Sequence, residues 1–516
     1  MAEAARAARV WASVLGWTRW QRLGTAFLVG AVLALAHEPI AVPWVLVLTC
    51  LAVVFRASVA LSAQQAAWVG WAFGAGYFAV TLRWIVEPFL VDPLKHGWMI
   101  PFAVIGMCGG LALFWGAAFW AARRLVPRGP LFLLALPVML AWAELARAHV
   151  LSGFPWAQLS YSIVGTPADH LLAWIGPHGT SLLLLAVAGA IALSLARGWT
   201  LIWPGLVAVL VAVIGLAAIT PKAPGAVADA PMVRIVQPNA PQHLKWDVAW
   251  MPVFFDRAVG LTAQGVPPDV VVWPETSIPA LLDFAEPWLA QMARAGRGAE
   301  IVAGIQRRGA GDAFHNALVV ISPEAEVTAT YDKAHLVPFG EYVPLSWVLE
   351  PLGLTGVADL ARGFTPGGDP DLVEVAALGR VRALICYEGI FPEEIDLGSG
   401  RPDLLMVLTN DAWFGDHAGP RQHLVQSQAR AIEQGLPMIR AANTGISAMI
   451  DARGRIVASL PLGEAGYLDA RLPGVLPPPL YARTGDRPLL LLLALCTLGL
   501  ALARRRFAVD LSGVAG

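Results

Sequence analysis

The stretch ALICYEGIFPEE (residues 383–394) is the part of the chain from which its fold is best inferred. It continues the apolar run VRALI (381–385), which is typical of a buried strand. Cys386 stands where this strand would end, and Glu388 follows two residues later. In layered α/β folds, ligands and catalytic groups gather at the ends of strands. A thiol and a carboxylate at this place therefore predict a functional site in the second half of the chain.

Short β-branched runs alternate with helical stretches around this segment. The helical stretches include WDVAWMPVFFDRAVGLTAQG (246–265) and RQHLVQSQARAIEQG (421–435). Such alternation predicts a layered α/β or α+β domain. Three of the strands end in a polar residue, namely Glu275, Cys386 and Asn410. The predicted strands are 232–238, 269–275, 300–306, 317–323, 382–388 and 404–410.

The composition predicts a membrane protein. Of the 516 residues, 57% are hydrophobic and only 14% are charged, whereas roughly 25% of the residues of a soluble domain are charged. A helix needs about 20 apolar residues to cross the hydrocarbon core, and about seven candidate spans precede residue 220. They lie near 23–36, 42–56, 66–85, 98–121, 130–148, 170–195 and 199–219, and a last apolar run occupies 488–503.

The charges of the loops predict the orientation of these spans. Basic residues follow the even-numbered spans, at Arg56, 123–128, Arg197 and 504–506. Because basic loops face the cytoplasm, the consistent arrangement has about eight spans with both termini inside. In a bacterium, this predicts a multi-pass protein of the inner membrane whose large polar domain lies in the periplasm.

This arrangement divides the chain into three parts. We expect a membrane domain over 1–220, an exported domain over 232–480 and a C-terminal transmembrane helix over 487–503. The net charge of −1 gives no indication of nucleic-acid binding. The sequence contains no HExxH, CxxC or phosphate-loop motif, so no metal or cofactor is expected.

Cysteine usage distinguishes one thiol from the others. Cys50, Cys108 and Cys496 fall in predicted spans, where a cysteine is usually a small apolar side chain. Cys386 is the only cysteine of the expected exported domain, so it cannot form a disulfide within that domain. We interpret it as a candidate nucleophile, and a buried structural thiol is the alternative.

A cysteine nucleophile needs a base and a cation or donor for the charge that develops. Glu275 ends the strand VVVWPE and could accept the thiol proton, whereas a cap or a solvated loop residue is the alternative. Lys333 and Glu341 lie in YDKAHLVPFGEYVP (331–344), where a turn at 338–340 would bring them together. Lys333 could then stabilise an oxyanion, and a solvated surface lysine is the alternative.

Taken together, WPETSIP (273–279), YDKAHLVPFGEYVP (331–344) and ICYEGIFPE (385–393) resemble motifs of the nitrilase superfamily. Members of that superfamily use a Glu, a Lys and a Cys in this chain order. LTNDAWFGD (408–416) and RAANTGISAMID (440–451) add to the similarity. With its N-terminal bundle and final span, the chain closely resembles the membrane-bound branch, the apolipoprotein N-acyltransferases. The resemblance implies a multi-pass α-helical membrane bundle joined to an α/β nitrilase-like αββα sandwich.

The resemblance also implies roles for individual residues. Glu275 would be the general base, Lys333 would stabilise the tetrahedral intermediate, and Cys386 would carry the acyl group. The supporting residues would be Glu341, which orients the lysine, and Tyr387 and Glu388 beside the nucleophile, with the Tyr387 N–H in the oxyanion hole. The expected substrate-binding residues are Trp246, Asn410 and Trp413.

The implied activity is the transfer of a fatty acyl chain from a phospholipid, through a cysteine thioester, to an N-terminal amine. The acceptor would be the diacylglyceryl-cysteine of an apolipoprotein, and the enzyme is expected to act as a monomer in the bilayer. The apolar stretch 346–364 is interpreted as a lid that dips toward the membrane, with a buried loop as the alternative.

Two alternative functions are that of an amidase and that of a transporter or receptor. A membrane-anchored nitrilase-type amidase would use the same three residues and water to hydrolyse a small C–N bond. Its weakness is that seven leading spans are more than an anchor requires. A transporter or receptor with an exported ligand-binding domain would have no such catalytic set and more buried charges along its spans.

Overall fold

The computed structural model describes residues 16–127, 129–197, 203–311, 313–344, 363–368, 371–395 and 400–512. The chain forms two compact units. The first comprises the chain up to Val86, Met99–Thr220 and the chain from Arg483 onward, and the second comprises Glu87–Trp98 and Pro221–Ala482. Of the interpreted lid, only residues 363–364 belong to the described part of the chain, so that interpretation stays a prediction.

The first unit is helical, and each run predicted as a span overlaps one of its helices. Helices are expected there because a segment in lipid must pair its own backbone polar groups. The helices are α1 Arg19–Ala34, α2 Val45–Ser58, α3 Ala63–Thr81, α4 Ile100–Leu125, α5 Phe132–His149, α6 Leu171–Arg197, α7 Trp203–Ile219 and the C-terminal helix Arg487–Ser512.

Within the described ranges, four helical segments are long and apolar enough to cross a membrane. They are Pro93–Leu125, Phe132–His149, Leu171–Leu195 and Arg487–Arg504. Ala63–Thr81 and Arg83–Leu90, bent by 66°, would make a fifth span if counted as one, and Val45–Ser58 and Pro204–Ile219 are apolar but shorter. Several apolar helices are thus present as expected, whereas the count of eight spans and their orientation stay predictions.

Helices α1 and α3 cross with their backbones in contact. A Cβ atom at Gly30 would lie 2.0 Å from the carbonyl oxygen of Phe73, and one at Gly76 would lie 1.9 Å from the carbonyl oxygen of Phe27. Small residues at such crossings are typical of membrane bundles, because packing contacts replace the hydrophobic effect as the attraction between helices.

Helix α5 contains a buried ion pair. Glu144 accepts a hydrogen bond from the indole of Trp115 at 2.7 Å and pairs with Arg147 at 2.6 Å. Arg147 also donates to the carbonyl oxygen of Trp156 at 2.7 Å and to that of Phe154. The charges are therefore compensated inside the unit, as an intramembrane ion pair requires.

The second unit contains two six-stranded sheets in the residues described. Its strands are β1 Met232–Gln237, β2 Val270–Val272, β3 Glu300–Arg308, β4 Phe314–Ile321, β5 Val327–Asp332, β6 Val373–Val375, β7 Gly379–Ile385, β8 Leu404–Thr409, β9 Met438–Ala442, β10 Ala448–Ile450, β11 Ile456–Ser459 and β12 Gly466–Arg471. One sheet has the order β12-β1-β2-β3-β4-β5, and the other has the order β11-β10-β9-β8-β7-β6.

The two sheets pack face to face between helices. Because side chains alternate along a strand, Val270 and Val272 enter the core shared by the sheets, and Val271 faces the opposite side. That outer face is covered by α8 (Met251–Ala263) and α9 (Glu286–Gly296). Helix α10 (Ala418–Gln434) covers the outer face of the second sheet. The αββα sandwich expected from the resemblance is confirmed.

The six predicted strands correspond to β1, β2, β3, β4, β7 and β8. Strand β2 ends at Val272, shorter than predicted, because Pro274 cannot donate to a ladder. The run 382–388 is extended only to Ile385, and Cys386 begins a turn. Helix α9 and strands β5, β6 and β9–β12 are not predicted from the sequence. These elements are short, or their hydrophobic and polar residues alternate only weakly. For example, β11 (Ile456–Ser459) is mostly exposed.

Candidate active site

Cys386 begins a 3₁₀ turn, Cys386–Ile390, immediately after β7. Its φ of 52° is a left-handed conformation that residues other than glycine rarely adopt. The residue is only 6% exposed. Backbone strain of this kind costs on the order of 1–3 kcal/mol and persists where the surroundings enforce it, often at functional sites. The turn thus holds the thiol at the end of the strand.

Glu275 lies in a tight turn just after β2. The next residue, Thr276, has a φ of 46°, which is strained for a β-branched side chain. Gly304 makes the turn sterically allowed, because a Cβ atom there would lie 2.6 Å from the Cα of Glu275. Two donors orient the carboxylate. The Asn316 side chain donates to Oε1 at 2.7 Å, and the backbone N–H of Asn410 donates to Oε2 at 2.8 Å.

Lys333 directly follows β5 and is only 1% exposed. Its Nζ lies 2.9 Å from Glu341 Oε1 and 3.9 Å from Glu275 Oε1. Burial acts to lower the pKa of Lys333, but the carboxylates of Glu341 and Glu275 outweigh it and raise the pKa above its ordinary value. Lys333 is therefore a permanent buried cation between two carboxylates.

The turn predicted between Lys333 and Glu341 is present. The backbone N–H of Phe339 donates to the carbonyl oxygen of Tyr342 at 2.8 Å, and Phe339 has a φ of 62°. The Glu341 carboxylate accepts the backbone N–H of Val337 at 2.8 Å. The turn folds the chain back, so Glu341 reaches the ammonium of Lys333.

The charges of these residues act directly on the thiol. Burial raises the pKa of Cys386, and the Glu275 carboxylate raises it further. Lys333 and a hydrogen bond with the Thr409 side chain act in the opposite direction without restoring the ordinary pKa. The thiol is consequently neutral at pH 7, and a base must take its proton for the sulfur to attack. The structure thus brings the three predicted catalytic residues into one electrostatically coupled site.

Glu388 connects the turn of the cysteine to the loop of the lysine. Its Oε2 accepts the backbone N–H of Ile385 at 2.6 Å, and its Oε1 accepts the hydroxyl of Tyr331 at 2.9 Å and the backbone N–H of Ala334 at 2.7 Å. Burial and Glu394 raise the pKa of Glu388 to about 7, against the hydrogen bonds that lower it. These contacts fit a supporting role rather than that of a base for the thiol.

The neighbouring Tyr387 lies in an aromatic cluster. Its ring is 5.3 Å from the ring of His335 and 5.0 Å from that of Phe391, both edge to face. Burial raises the pKa of the Tyr387 hydroxyl. Its phenol is therefore neutral across the working range of most enzymes.

The three residues expected to bind substrate lie in different environments. Trp246 is 43% exposed and lines a pocket. Trp413 is partly buried in the 3₁₀ turn Asp411–Phe414. The Asn410 side chain donates to Gln242 and accepts from Asn443, each at 2.8 Å. Asn410 thus contacts the Glu275 carboxylate through its backbone and the protein interior through its amide, while its predicted substrate contact stays a prediction.

Several site residues escape the sequence analysis. Asn316 precedes an apolar run and bridges Glu275 to Glu341, donating to the latter at 3.2 Å. Lys245 stands beside the predicted Trp246 and reaches the carbonyl oxygen of Glu275 at 3.1 Å. The only signal for either is a polar residue next to hydrophobic ones, which also describes many surface residues.

A buried charged network behind the thiol also goes unpredicted. Asp411 accepts hydrogen bonds from Thr409 at 2.8 Å, from His423 at 2.9 Å and from Arg440 at 2.6 Å. Burial alone would raise the pKa of Asp411, but Arg440 and His423 lower it to about 2. The signal in the sequence is Arg440, a charged residue inside the strand MIRAA. In the described residues, no group of three or more His, Cys, Asp and Glu side chains could hold a metal ion.

Known protein families match both parts of the chain. The carbon-nitrogen hydrolase family matches residues 232–475, and the apolipoprotein N-acyltransferase N-terminal domain matches residues 29–190. An amidase structure from Nesterenkonia sp. aligns at 20% identity with a TM-score of 0.35, over 51% of this chain and 97% of that chain.

Relatives that align over nearly the full length carry a single name. The apolipoprotein N-acyltransferase of Caulobacter vibrioides is 38% identical, over 97% of this chain and 99% of the relative. That of Rhodopseudomonas palustris is 36% identical, over 96% of this chain and 97% of the relative. The chain therefore belongs to the apolipoprotein N-acyltransferase family.

Proposed function

We propose that this protein transfers a fatty acyl chain from a phospholipid to the N-terminal amine of a diacylglyceryl-cysteine in an apolipoprotein, through a thioester on Cys386. The observation that carries the proposal is the buried, electrostatically coupled set of Glu275, Lys333 and Cys386. The membership of the whole chain in its family supports the lipid donor and the lipoprotein acceptor.

In the first step, the sulfur of Cys386 attacks the carbonyl carbon of a phospholipid ester. Glu275 accepts the thiol proton, which the raised pKa of the thiol otherwise keeps in place. The Lys333 ammonium stabilises the oxyanion of the tetrahedral intermediate, and the N–H of Tyr387 is proposed as a second donor. The carbon–oxygen bond then breaks, the alkoxide takes the proton from Glu275, and a lysophospholipid leaves the thioester.

In the second step, the α-amine of the diacylglyceryl-cysteine attacks the thioester carbonyl. Glu275 accepts a proton from the attacking amine, and Lys333 again stabilises the oxyanion. The carbon–sulfur bond breaks, the thiolate regains a proton from Glu275, and an amide is released. The side chain of Glu341 holds Lys333 in the same position during both steps, because its Oε1 lies 2.9 Å from the ammonium.

The proposal extends to the surroundings of the site. We place the enzyme in the bacterial inner membrane as a multi-pass monomer whose catalytic domain faces the periplasm. Trp246 and Trp413 are proposed to contact the lipid substrates. The backbone N–H of Asn410 is proposed to orient the carboxylate of Glu275. The two steps as written involve no cofactor.

A second candidate activity is the hydrolysis of a small C–N bond by a membrane-anchored amidase. The match of residues 232–475 to the carbon-nitrogen hydrolase family favours it. The acyl group would then pass from Cys386 to water. The number of apolar helices in the first unit argues for membrane-embedded substrates, since one helix is enough for an anchor.

The decisive experiment is intact mass spectrometry of the full-length protein after incubation with phospholipid vesicles. The expected result is one acyl adduct on Cys386, which disappears when a diacylglyceryl-cysteine peptide is added and reappears as an amide on that peptide. Cys386→Ala should show no adduct, and Cys386→Ser should be nearly as inactive, because an alkoxide is harder to form than a thiolate. Transfer by the Ala variant, or an adduct from a small amide but none from phospholipid, would contradict the proposal.

A further inference from the structure

A second buried lysine lies beside the site and has no role in the two steps above. Lys245 ends the short helix Gln242–Lys245 and is only 7% exposed. Its Nζ donates to the carbonyl oxygen of Glu275 at 3.1 Å and to the hydroxyl oxygen of Thr276 at 2.9 Å. Both acceptors are neutral, although burial of an ammonium is costly unless its charge is compensated. The free-energy cost of burying this ammonium against two neutral oxygens indicates that Lys245 has a function.

The turn that Lys245 binds is the one that carries the catalytic base. Thr276 is held there with a φ of 46°. On one side, Gly304 pins the turn through its backbone, accepting from Ser277 at 2.8 Å and donating to the carbonyl oxygen of Pro274 at 3.2 Å. On the other side, the contact comes from Lys245. The ammonium therefore opposes relaxation of the strained turn, and with it any displacement of the Glu275 carboxylate.

Lys245 also adds positive charge to the site. Burial lowers the pKa of Lys245, whereas the Glu275 carboxylate and Cys386 act to raise it, and the Nζ of Lys333 lies 3.9 Å from Glu275 Oε1. Because electrostatic interactions are reciprocal, the charged ammonium favours a negative charge on Cys386, although Lys333 and Thr409 are the groups that lower the pKa of its thiol most. In addition, Lys245 lines the same pocket as Trp246 and Thr276 while it contacts the backbone of Glu275.

We propose that Lys245 is a positioning residue for the reaction, whose ammonium holds the strained turn of Glu275 and stabilises negative charge shared between Glu275 and Cys386. The inference rests on the proposed function for the identity of the substrates. The hydrogen bonds of the ammonium to the Glu275 carbonyl oxygen and to the Thr276 hydroxyl oxygen carry it.

The pH dependence of this contribution has a definite sign. Burial lowers the pKa of Lys245 to about 8, even though Glu275 and Cys386 act to raise it. The ammonium is therefore charged at pH 7 and loses its proton as the pH rises through about 8. A charged donor makes the stronger hydrogen bond and the stronger electrostatic contribution. The benefit of Lys245 should be largest below pH 8 and should decline above it.

The test compares the full-length wild type with Lys245→Met, Lys245→Arg and the matched control Lys222→Met, which removes an exposed lysine. Two rates are measured from pH 6 to pH 9.5. One is the alkylation of Cys386 by iodoacetamide, followed by peptide mass spectrometry, and the other is lysophospholipid release from vesicles. At pH 7, Lys245→Met should slow both by about tenfold to a hundredfold, as expected for a misplaced catalytic group.

The deficit of Lys245→Met should shrink by at least about threefold between pH 7 and pH 9.5, since the wild-type ammonium is lost over this range. Lys245→Arg should recover a large part of the rate at pH 7, and Lys222→Met should match the wild type. A rate within twofold of the wild type at every pH would overturn the proposal. So would a deficit that is constant with pH and not relieved by Arg, since that pattern describes a structural role alone.

A second variant covers the case in which Lys245→Met does not fold. Thr276→Ala removes one acceptor of the ammonium but leaves the carbonyl oxygen of Glu275 to bind it, and Ala tolerates a positive φ better than a β-branched residue. It should slow alkylation of Cys386 several-fold at pH 7, and an unchanged rate would contradict the proposal. Alkylation by iodoacetamide requires no lipid, so absence of acyl transfer by the wild type would refute the proposed function while leaving this test intact.

Discussion

Buried charges of both signs surround the thiol of Cys386 and determine its reactivity. Lys333 and Lys245 supply two cations, and Glu275 and Glu341 supply two carboxylates. Glu341 contacts Lys333 closely, whereas the Glu275 carboxylate lies 3.9 Å from the same ammonium and is oriented by neutral donors. Glu341 is therefore suited to hold the lysine, and Glu275 is suited to exchange a proton.

At the residue scale, Glu275→Gln should chiefly impair ionisation of the thiol. Because burial raises the pKa of Cys386, the variant should acylate slowly at pH 7, and its rate should rise about tenfold per pH unit as the thiol ionises unaided. Removal of the carboxylate also removes its repulsion of the thiolate, which lowers the pKa of Cys386 and brings the alkaline rise in rate to lower pH. The measurement is the pH dependence of lysophospholipid release. A deficit that does not diminish toward alkaline pH would show that Glu275 is not the base.

Lys333→Met is expected to behave differently, because the lysine acts chiefly on the oxyanion and Glu275 still accepts the thiol proton in this variant. Loss of one preorganised oxyanion donor costs about 3–4 kcal/mol, or roughly a hundredfold to a thousandfold in rate. Both the acylation and the transfer to the amine should slow by such a factor, and higher pH should not restore them. Single-turnover assays of each step provide the measurement. Alkaline rescue of this variant would contradict the assignment.

At the scale of secondary structure elements, the crossing of α1 and α3 depends on glycines. A methyl group at Gly30 would overlap the carbonyl oxygen of Phe73 at 2.0 Å, whereas a Cβ atom at Gly24, in the same helix, would have no neighbour within 4 Å. The two positions therefore share a helix and a residue type and differ in their surroundings.

Gly30→Ala should force α1 and α3 apart and destabilise the protein by about 1–3 kcal/mol, as overpacking of a well-packed interface does. Gly24→Ala should be neutral or slightly stabilising, because Ala has the higher helix propensity. The midpoint of thermal unfolding in detergent, followed for both variants side by side, is the measurement. Equal midpoints for the two variants would show that the crossing does not depend on this close approach.

At the scale of the whole molecule, the orientation of the chain follows from its loop charges alone and is open to a direct test. Gly129 and Gly311 are both exposed and have positive φ values of 85° and 66°, so a cysteine at either position meets a similar strain. Cys50, Cys108 and Cys386 are buried and Cys496 is partly buried, and the wild type labelled in parallel gives the background from these native thiols.

A membrane-impermeant thiol reagent added to intact spheroplasts should label Gly311→Cys but not Gly129→Cys. The expected difference follows from basic loops facing the cytoplasm, which puts 232–480 outside and the loop after α4 inside. Both variants should be labelled once the membrane is permeabilised, which controls for reactivity. The opposite pattern would overturn the orientation and the proposed compartment together.

The fold was predictable where local signals are strong. The apolar runs overlapping α1–α7 and the C-terminal helix are long, and the β-branched runs of β1, β3 and β8 are bounded by polar or turn residues. Glu275, Lys333 and Cys386 were identified from the resemblance of their motifs, and the turn before Glu341 was evident from Pro338 and Gly340. Short, exposed strands such as β11 carry too little hydrophobic pattern to be predicted.

Local sequence features are enough to predict the chemistry that is available to this protein: a thiol at the end of a buried strand, a carboxylate after another strand and a lysine on a turn. Those features depend on neighbours a few residues away, which hydrophobic pattern and turn residues encode. Which side chains contact one another depends instead on how the strands and helices pack. Asn316 reaches Glu275 and Glu341, Lys245 reaches the turn of Glu275, and Arg440 reaches Asp411 because strand order and sheet packing bring distant segments together. Such contacts have no counterpart in local sequence, since a buried polar residue is defined by the partner that compensates its desolvation.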